Sequence, residues 1–165
     1  MNRNGWNGEK TGLTNLSHST KILLTGFLIL LSLGYLVGWL SYPLKMGFSP
    51  EEVTRYYRGA PEGQHYPKEF GQLLDVTHVH SLGLPILFFL VGYLFDMTRI
   101  RGRTKGILFA LCFTFIFLNL LSVWLVRYVS ARFVLLLLAS NLVLAATFLA
   151  FAFVPLKEMW WDSRK

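Results

Sequence analysis

The chain has 165 residues, of which 53% are hydrophobic and 15% are charged, and its formal net charge is +7. The charged fraction is well below the roughly 25% that is typical of soluble domains. Four long stretches carry no charge at all, which excludes a soluble globular protein. The basic residues lie in short segments around these stretches, so the positive charge does not indicate a nucleic-acid partner.

The four uncharged stretches are each long enough to cross a membrane. About 20 helical residues span the ~30 Å of hydrocarbon in a bilayer, and within lipid a single segment can satisfy its own backbone only as a helix. The sequence therefore predicts an all-α, integral membrane four-helix bundle formed by residues 21–165, preceded by a flexible cytoplasmic tail over residues 1–20. The predicted spans are residues 22–42, 77–95, 106–126 and 133–155.

The distribution of lysine and arginine predicts the orientation of the bundle. Basic residues are concentrated near both termini and in the loop between spans two and three, whereas the loop between spans one and two also carries many carboxylates. Under the positive-inside rule, both termini lie in the cytoplasm and the first loop lies outside. The basic residues on the inner side are Arg3, Lys10, Lys21, Arg99, Arg101, Arg103, Lys105, Lys157, Arg164 and Lys165.

The outer loop contains the signature of a short amphipathic helix, "SPEEVTRYYRG", at residues 49–59. Ser49 is the expected N-cap, Pro50 the first helical residue and Glu52 the partner in a capping box. Gly59 is the expected stop. Val53, Tyr56 and Tyr57 supply an apolar side, so this helix is expected to lie on the membrane surface or on the bundle.

Two histidines, His78 and His80, stand at the start of the second span, in "THVHSLGLPILFFLVGYLF". If the segment is helical, the two rings point about 200° apart, so only one of them can face the bundle centre. If the helix starts near Ser81 instead, both rings can turn towards one point. Asp75 lies one turn before His78 and is a candidate to orient it.

Three roles remain open for this His-x-His pair. The imidazoles can make hydrogen bonds at the interface, bind a haem or metal ion, or donate a hydrogen bond to a quinone head. A b-type haem needs a second axial ligand, for which His65 and Met46 are the candidates in this chain, and Arg127 is a candidate partner for a haem propionate. A copper or zinc ion would be held by His65, His78 and His80.

Other chemistry finds little support in the sequence. Spans one, three and four contain no Asp or Glu, which argues against a proton or cation pump. No Cys-x-x-Cys-His sequence is present for a covalent c-type haem, and the single cysteine, Cys112, is expected to be a packing residue. The intramembrane polar residues are expected to form hydrogen bonds between helices: Asn119, Ser122, Ser140 and Asn141.

The segments "KILLTGFLILLSLGYLVGWL", "YYRG", "THVHSLGLPILFFLVGYLF" and "LKEMWW" resemble a family of small bacterial membrane proteins that are sometimes mislabelled as elongation factors. Its members look like four-helix proteins with a His-x-His at the head of helix two and a terminal Glu-Met-Trp. These motifs correspond to His78, His80 and Glu158–Trp160. Several members carry a c-type cytochrome insert in the outer loop. This chain departs from that pattern, because its outer loop is short and lacks cysteine.

The resemblance implies electron transfer at the outer face of the bacterial cytoplasmic (inner) membrane. We therefore expect a small, multi-pass subunit of a respiratory-type assembly, with a b-type haem or a metal ion at the outer membrane face. Its expected partners are membrane lipids and cytochrome-like subunits in the membrane or periplasm, and a homo-oligomer is also open. The alternative is an accessory subunit that anchors a larger complex, and a third reading is a free-standing sensor or lipid-binding module. On none of these readings is the chain an enzyme by itself.

Overall fold

The computed structural model describes residues 12–60 and 66–161, and in these two ranges every regular element is helical. Five α-helices follow one another: α1 (His18–Met46), α2 (Pro50–Arg58), α3 (Phe70–Asp96), α4 (Gly102–Tyr128) and α5 (Val134–Trp160). A 3-10 turn at Leu13–Asn15 precedes α1, and another at Ala131–Phe133 leads into α5. Four of the helices, all except α2, are long and apolar enough to span a membrane, which confirms the predicted four-helix membrane bundle.

The spanning helices pack around α5, and their contacts divide the core into two layers. The larger layer is aromatic and includes Phe88 of α3 together with Phe148 and Phe151 of α5. Tyr35 of α1 stacks on Phe148, with the ring centroids 4.1 Å apart. Such ring pairs favour particular geometries in addition to the area they bury, so this contact fixes α1 against α5 near the middle of the bundle.

The first spanning helix, α1, is the least buried of the four. In its most apolar window 6% of the residues are buried, compared with 33% for α5. Most of its leucine and isoleucine side chains therefore face outwards. In a bilayer this surface contacts lipid or another membrane protein, since lipid tails are as apolar as the side chains themselves.

The two ends of the bundle are called inner and outer here, after the predicted orientation. The start of α1 and the end of α5 lie together at the inner end, where the His18 and Trp160 rings meet edge to face at 5.7 Å. Both termini of the bundle are thus on one side, as an even number of spans requires. Part of the predicted tail is packed rather than loose, because Leu13 is fully buried in the core.

The outer end is covered by α2, which begins and ends where the sequence predicts. Ser49 accepts a hydrogen bond from the Glu52 backbone, and the Glu52 carboxylate accepts one from the Ser49 backbone, which completes the capping box. Val53 and Tyr57 are buried against the outer layer of the core, beside Val126 and Leu137. The α2 helix therefore lies on the bundle, which is one of the two placements expected from the sequence.

Candidate functional site

The His-x-His pair lies inside a helix. The α3 helix begins at Phe70, so His78 and His80 are both fully within it. Of the two alternatives predicted from the sequence, a helical segment is therefore the correct one. The two rings leave the helix about 200° apart. Both side chains are exposed. One metal ion cannot be bound by both rings of the same chain in this arrangement.

His80 lies on the side of α3 that faces the bundle. It follows Leu73 by seven residues and precedes Val91 by eleven, which places it within about 20° of both these buried side chains on an ideal helix. Its Nδ1 is 2.8 Å from the Val76 carbonyl oxygen. A carbonyl oxygen can only accept, so Nδ1 carries the proton. In the neutral form of the ring the lone pair is then on Nε2, which is the atom that would bind a metal ion.

The His78 ring lies on the opposite side of α3 and makes no hydrogen bond to the residues that the structure describes, whereas the His78 carbonyl oxygen accepts one from the Ser81 hydroxyl at 2.9 Å. The Asp75 carboxylate, expected to orient it, does not bond to it within the described residues either. Of the other expected metal ligands, His65 falls outside the described residues. In the ranges that are described, no three His, Cys, Asp or Glu side chains come together in a group able to hold a metal ion.

The other two candidate cofactor contacts, Met46 and Arg127, instead attach the outer loop to the bundle. The Tyr57 hydroxyl donates a hydrogen bond of 3.5 Å to the Met46 sulfur. The Arg127 Nε donates to the Lys68 carbonyl oxygen at 2.8 Å, and its guanidinium lies 5.1 Å from the Tyr128 ring centroid. Neither side chain is joined to the histidine pair by a described contact.

Hydrogen bonds connect α2, α3 and α4 close to the histidine pair. The Trp124 indole of α4 donates a 2.8 Å hydrogen bond to the Thr77 hydroxyl, one residue before His78. The Arg58 guanidinium of α2 donates to the Val126 carbonyl oxygen at 3.0 Å. Burial in this region raises the pKa of the Tyr57 hydroxyl above its usual value, which keeps it protonated as a donor. The exposed imidazoles are thus presented by a rigid outer end.

A polar cluster lies within the membrane, where α4 and α5 meet. The Asn119 amide donates to the Ser140 hydroxyl at 2.9 Å and to the Asn141 side-chain oxygen at 2.8 Å, which confirms the expected hydrogen bonds between helices. Tyr42 of α1 lies beside Asn141. Its buried hydroxyl and the buried Asn141 Nδ2 nevertheless lack a hydrogen bond of normal distance and angle to the described residues. Sequence reading did not foresee Tyr42 in this cluster.

The Glu-Met-Trp motif closes the inner end. Both oxygens of the buried Glu158 carboxylate accept from the Arg99 backbone N–H, at 2.9 and 3.1 Å, which ties the α3–α4 loop to α5. The Trp160 indole donates to the Thr25 hydroxyl of α1 at 2.9 Å. These contacts assign the motif a structural role, because each polar side chain bridges two elements. Sequence reading named these residues without assigning Glu158 this role.

Comparison with known proteins identifies a family. The profile of a family described as a transmembrane helical domain, Aq_1264_TM, matches residues 47–165. No curated protein and no solved structure matches the chain. The matched region covers α2 to α5, including the histidine pair and the Glu-Met-Trp motif. It supports the coarser part of the resemblance, a small multi-pass membrane protein.

Proposed function

We propose that this chain, which belongs to the Aq_1264_TM family of transmembrane helical domains, is a small membrane subunit of an electron-transfer assembly. In this proposal it lies in a bacterial cytoplasmic membrane with both termini inside. A b-type haem or a metal ion is bound at the outer end by His80 or His78, and the remaining ligand comes from a neighbouring cytochrome-like subunit or from a second copy of the chain.

The observation that carries this proposal is the state of the His80 ring. Its Nδ1 donates a hydrogen bond to the Val76 carbonyl oxygen, and the side chain is exposed. A histidine that binds a metal through one ring nitrogen commonly donates a hydrogen bond from the other to a carbonyl or a carboxylate. This bond fixes the tautomer and the ring orientation. The other ring nitrogen of this exposed side chain is then the atom available to a metal ion.

Whether the ligand set for a cofactor is complete depends on whether one chain or two subunits supply it. Within the described residues a single chain offers one imidazole on each side of α3, which does not complete a bis-histidine haem site or a three-ligand ion site. A site shared between two subunits needs only one imidazole from this chain, and that arrangement fits. Once bound, haem iron or copper would supply one-electron redox chemistry, whereas the chain itself supplies the ligand nitrogen and its orientation.

An optical spectrum tests the proposal directly. The full chain, purified mildly together with its partners, is measured oxidised and dithionite-reduced, and metal content is determined on the same sample. A Soret band with sharp reduced bands, or stoichiometric copper, is expected. Stoichiometric zinc would support a metal site but reject electron transfer by that site, because zinc has no redox chemistry. His80→Ala should remove the signal, whereas His18→Ala, at the inner end, serves as the control. A flat spectrum with no metal, in a sample that retains its partners, would reject this function.

The accessory-subunit alternative is favoured by a different observation, the exposed face of α1. Gly34 and Gly38 form a G-x-x-x-G pattern, and a Cβ built at either position meets no atom within 4 Å. Small residues at this spacing allow a second helix to approach closely in lipid. On this reading the chain stabilises a larger complex through α1, and it needs no cofactor.

Substitution on α1 distinguishes this alternative from the redox proposal. Gly34→Ile and Gly38→Ile add bulk to the open face, at positions where the added Cβ meets no atom within 4 Å. If α1 is the contact surface, both variants should lose a co-purifying partner while their thermal stability is retained. Gly26→Ile is the matched control, since it lies about 80° or more around α1 from the other two glycines. Partner retention by all three variants would exclude α1 as the contact.

A further inference from the structure

A polar cleft opens at the inner end of the bundle, between the 3-10 turn before α1 and the α3–α4 loop. Its volume is about 400 Å³. The turn contributes Thr14 and Asn15, and the other wall contains Thr98, Arg99 and Lys105. A volume in this range accommodates a small ligand or a headgroup.

Two cations line this cleft, and each is held in position. The Lys105 side chain is 6% exposed, and its ammonium donates to the carbonyl oxygens of Asp96 and Thr98. The Arg99 guanidinium donates through one terminal nitrogen to the Thr14 hydroxyl at 3.1 Å. A guanidinium has five N–H donors, so most of the Arg99 donors remain for a ligand. Held positions lower the entropy lost when a ligand binds.

The balance of charge in the cleft favours an anion. Among the described residues that line the cleft, Asp96 is the one carboxylate, and it lies 3.7 Å from the Lys105 ammonium. Glu158 lies behind the loop and is engaged by the Arg99 backbone. Against these two carboxylates stand Arg99, Lys105 and the exposed Arg101 and Arg103 of the same loop.

The backbone adds to this preference. The α4 helix begins at Gly102, which lines the cleft, and within the described part of the chain the side chain of its N-cap residue, Arg101, makes no capping hydrogen bond. Uncapped amides at a helix start favour negative charge.

We propose that this cleft binds a phosphate group, presented either by the headgroup of an anionic phospholipid or by soluble phosphate. Arginine forms paired hydrogen bonds to phosphate oxygens, and Lys105 contributes a second positive charge from the same wall. The position fits a headgroup, because Trp160, of the type that anchors at membrane interfaces, lies at the same end. The inference is independent of the histidine pair and of any redox role.

Binding measurements on the full-length protein in detergent test the site. Native mass spectrometry measures phosphatidylglycerol retention, and phosphorus NMR measures binding of inorganic phosphate. Arg99→Gln should weaken binding about tenfold or more, as expected for the loss of charged hydrogen bonds. Arg99→Lys should restore part of the affinity. Arg132→Gln, an exposed arginine at the outer end, is the matched control and should bind like the wild type.

The outcomes separate the two sources of the phosphate. Retention of phosphatidylglycerol that inorganic phosphate does not displace identifies a lipid site, whereas displacement identifies a site for soluble phosphate. Either result supports the proposal if Arg99→Gln weakens the binding about tenfold or more. Equal binding by the wild type, Arg99→Gln and Arg132→Gln overturns it. A thermal melt of each variant ensures that lost binding is compared between folded proteins, and Arg99→Ala, which also lacks the charge, replaces Arg99→Gln if the latter does not fold.

Discussion

Glu158 offers the sharpest test of how the inner end is held together. Its carboxylate is 7% exposed and accepts the Arg99 N–H through both oxygens, at 2.9 and 3.1 Å. These contacts amount to one shared hydrogen bond to a charged group, worth roughly 1.5–3 kcal/mol. Glu158→Ala removes the acceptor and leaves the Arg99 N–H without it, so we expect a loss of about 2 kcal/mol. Glu158→Gln keeps a neutral acceptor and should lose about 1 kcal/mol.

Thermal unfolding in detergent measures the effect, since about 2 kcal/mol corresponds to roughly 4–8 °C in a chain of this size. Trypsin provides a local readout, because a released α3–α4 loop exposes the bonds after Arg99 and Arg101. Lys157→Ala is the control in the same turn of α5, because Lys157 is exposed and should change stability by about 0.5 kcal/mol at most. If Glu158→Ala melts and is cleaved like Lys157→Ala, the carboxylate does not hold the loop.

Three further substitutions test the outer end. Gly47→Ala should destabilise by at least about 1–2 kcal/mol, because Gly47 has φ +86° and a Cβ there would lie 2.7 Å from Glu52 Oε2; Gly26→Ala, with open space around it, should be neutral or stabilising in the same melt. Hydrogen bonds from the Ser49 and Phe48 N–H groups hold the pKa of the Glu52 carboxyl below its usual value. The stability that Glu52 contributes is therefore fully present above the usual pKa, and it is lost as the pH falls through the lowered pKa. Melts at decreasing pH should therefore show a steeper fall for the wild type than for Glu52→Gln. Tyr42→Phe removes a buried hydroxyl without a described hydrogen bond and should raise the melting stability by roughly 1 kcal/mol, whereas a loss would reveal a bond to that hydroxyl.

The candidate site was only partly readable from the sequence. The pattern His-x-His identified two unusual imidazoles, and helix geometry alone separated their directions once the segment was known to be helical. Whether it was helical depended on where α3 begins, which is Phe70, seven residues before the predicted span. Helix starts are poorly defined by hydropathy, because the helix continues beyond the hydrocarbon into the polar region. The G-x-x-x-G of α1 was visible in the sequence, but its exposure was not.

The sequence itself determined the number of spans, the helix α2 with its caps, and the polar cluster between α4 and α5. Each depends on local rules: the cost of charge in lipid, the bonding of caps to nearby amides, and the need to pair polar groups within the membrane. Only the tertiary structure decided which faces stay open. The same leucines suit lipid and protein equally, so hydropathy cannot distinguish the exposed α1 from the buried α5. Likewise, Arg99 and Glu158 meet across 59 residues of chain, a contact that no local pattern encodes.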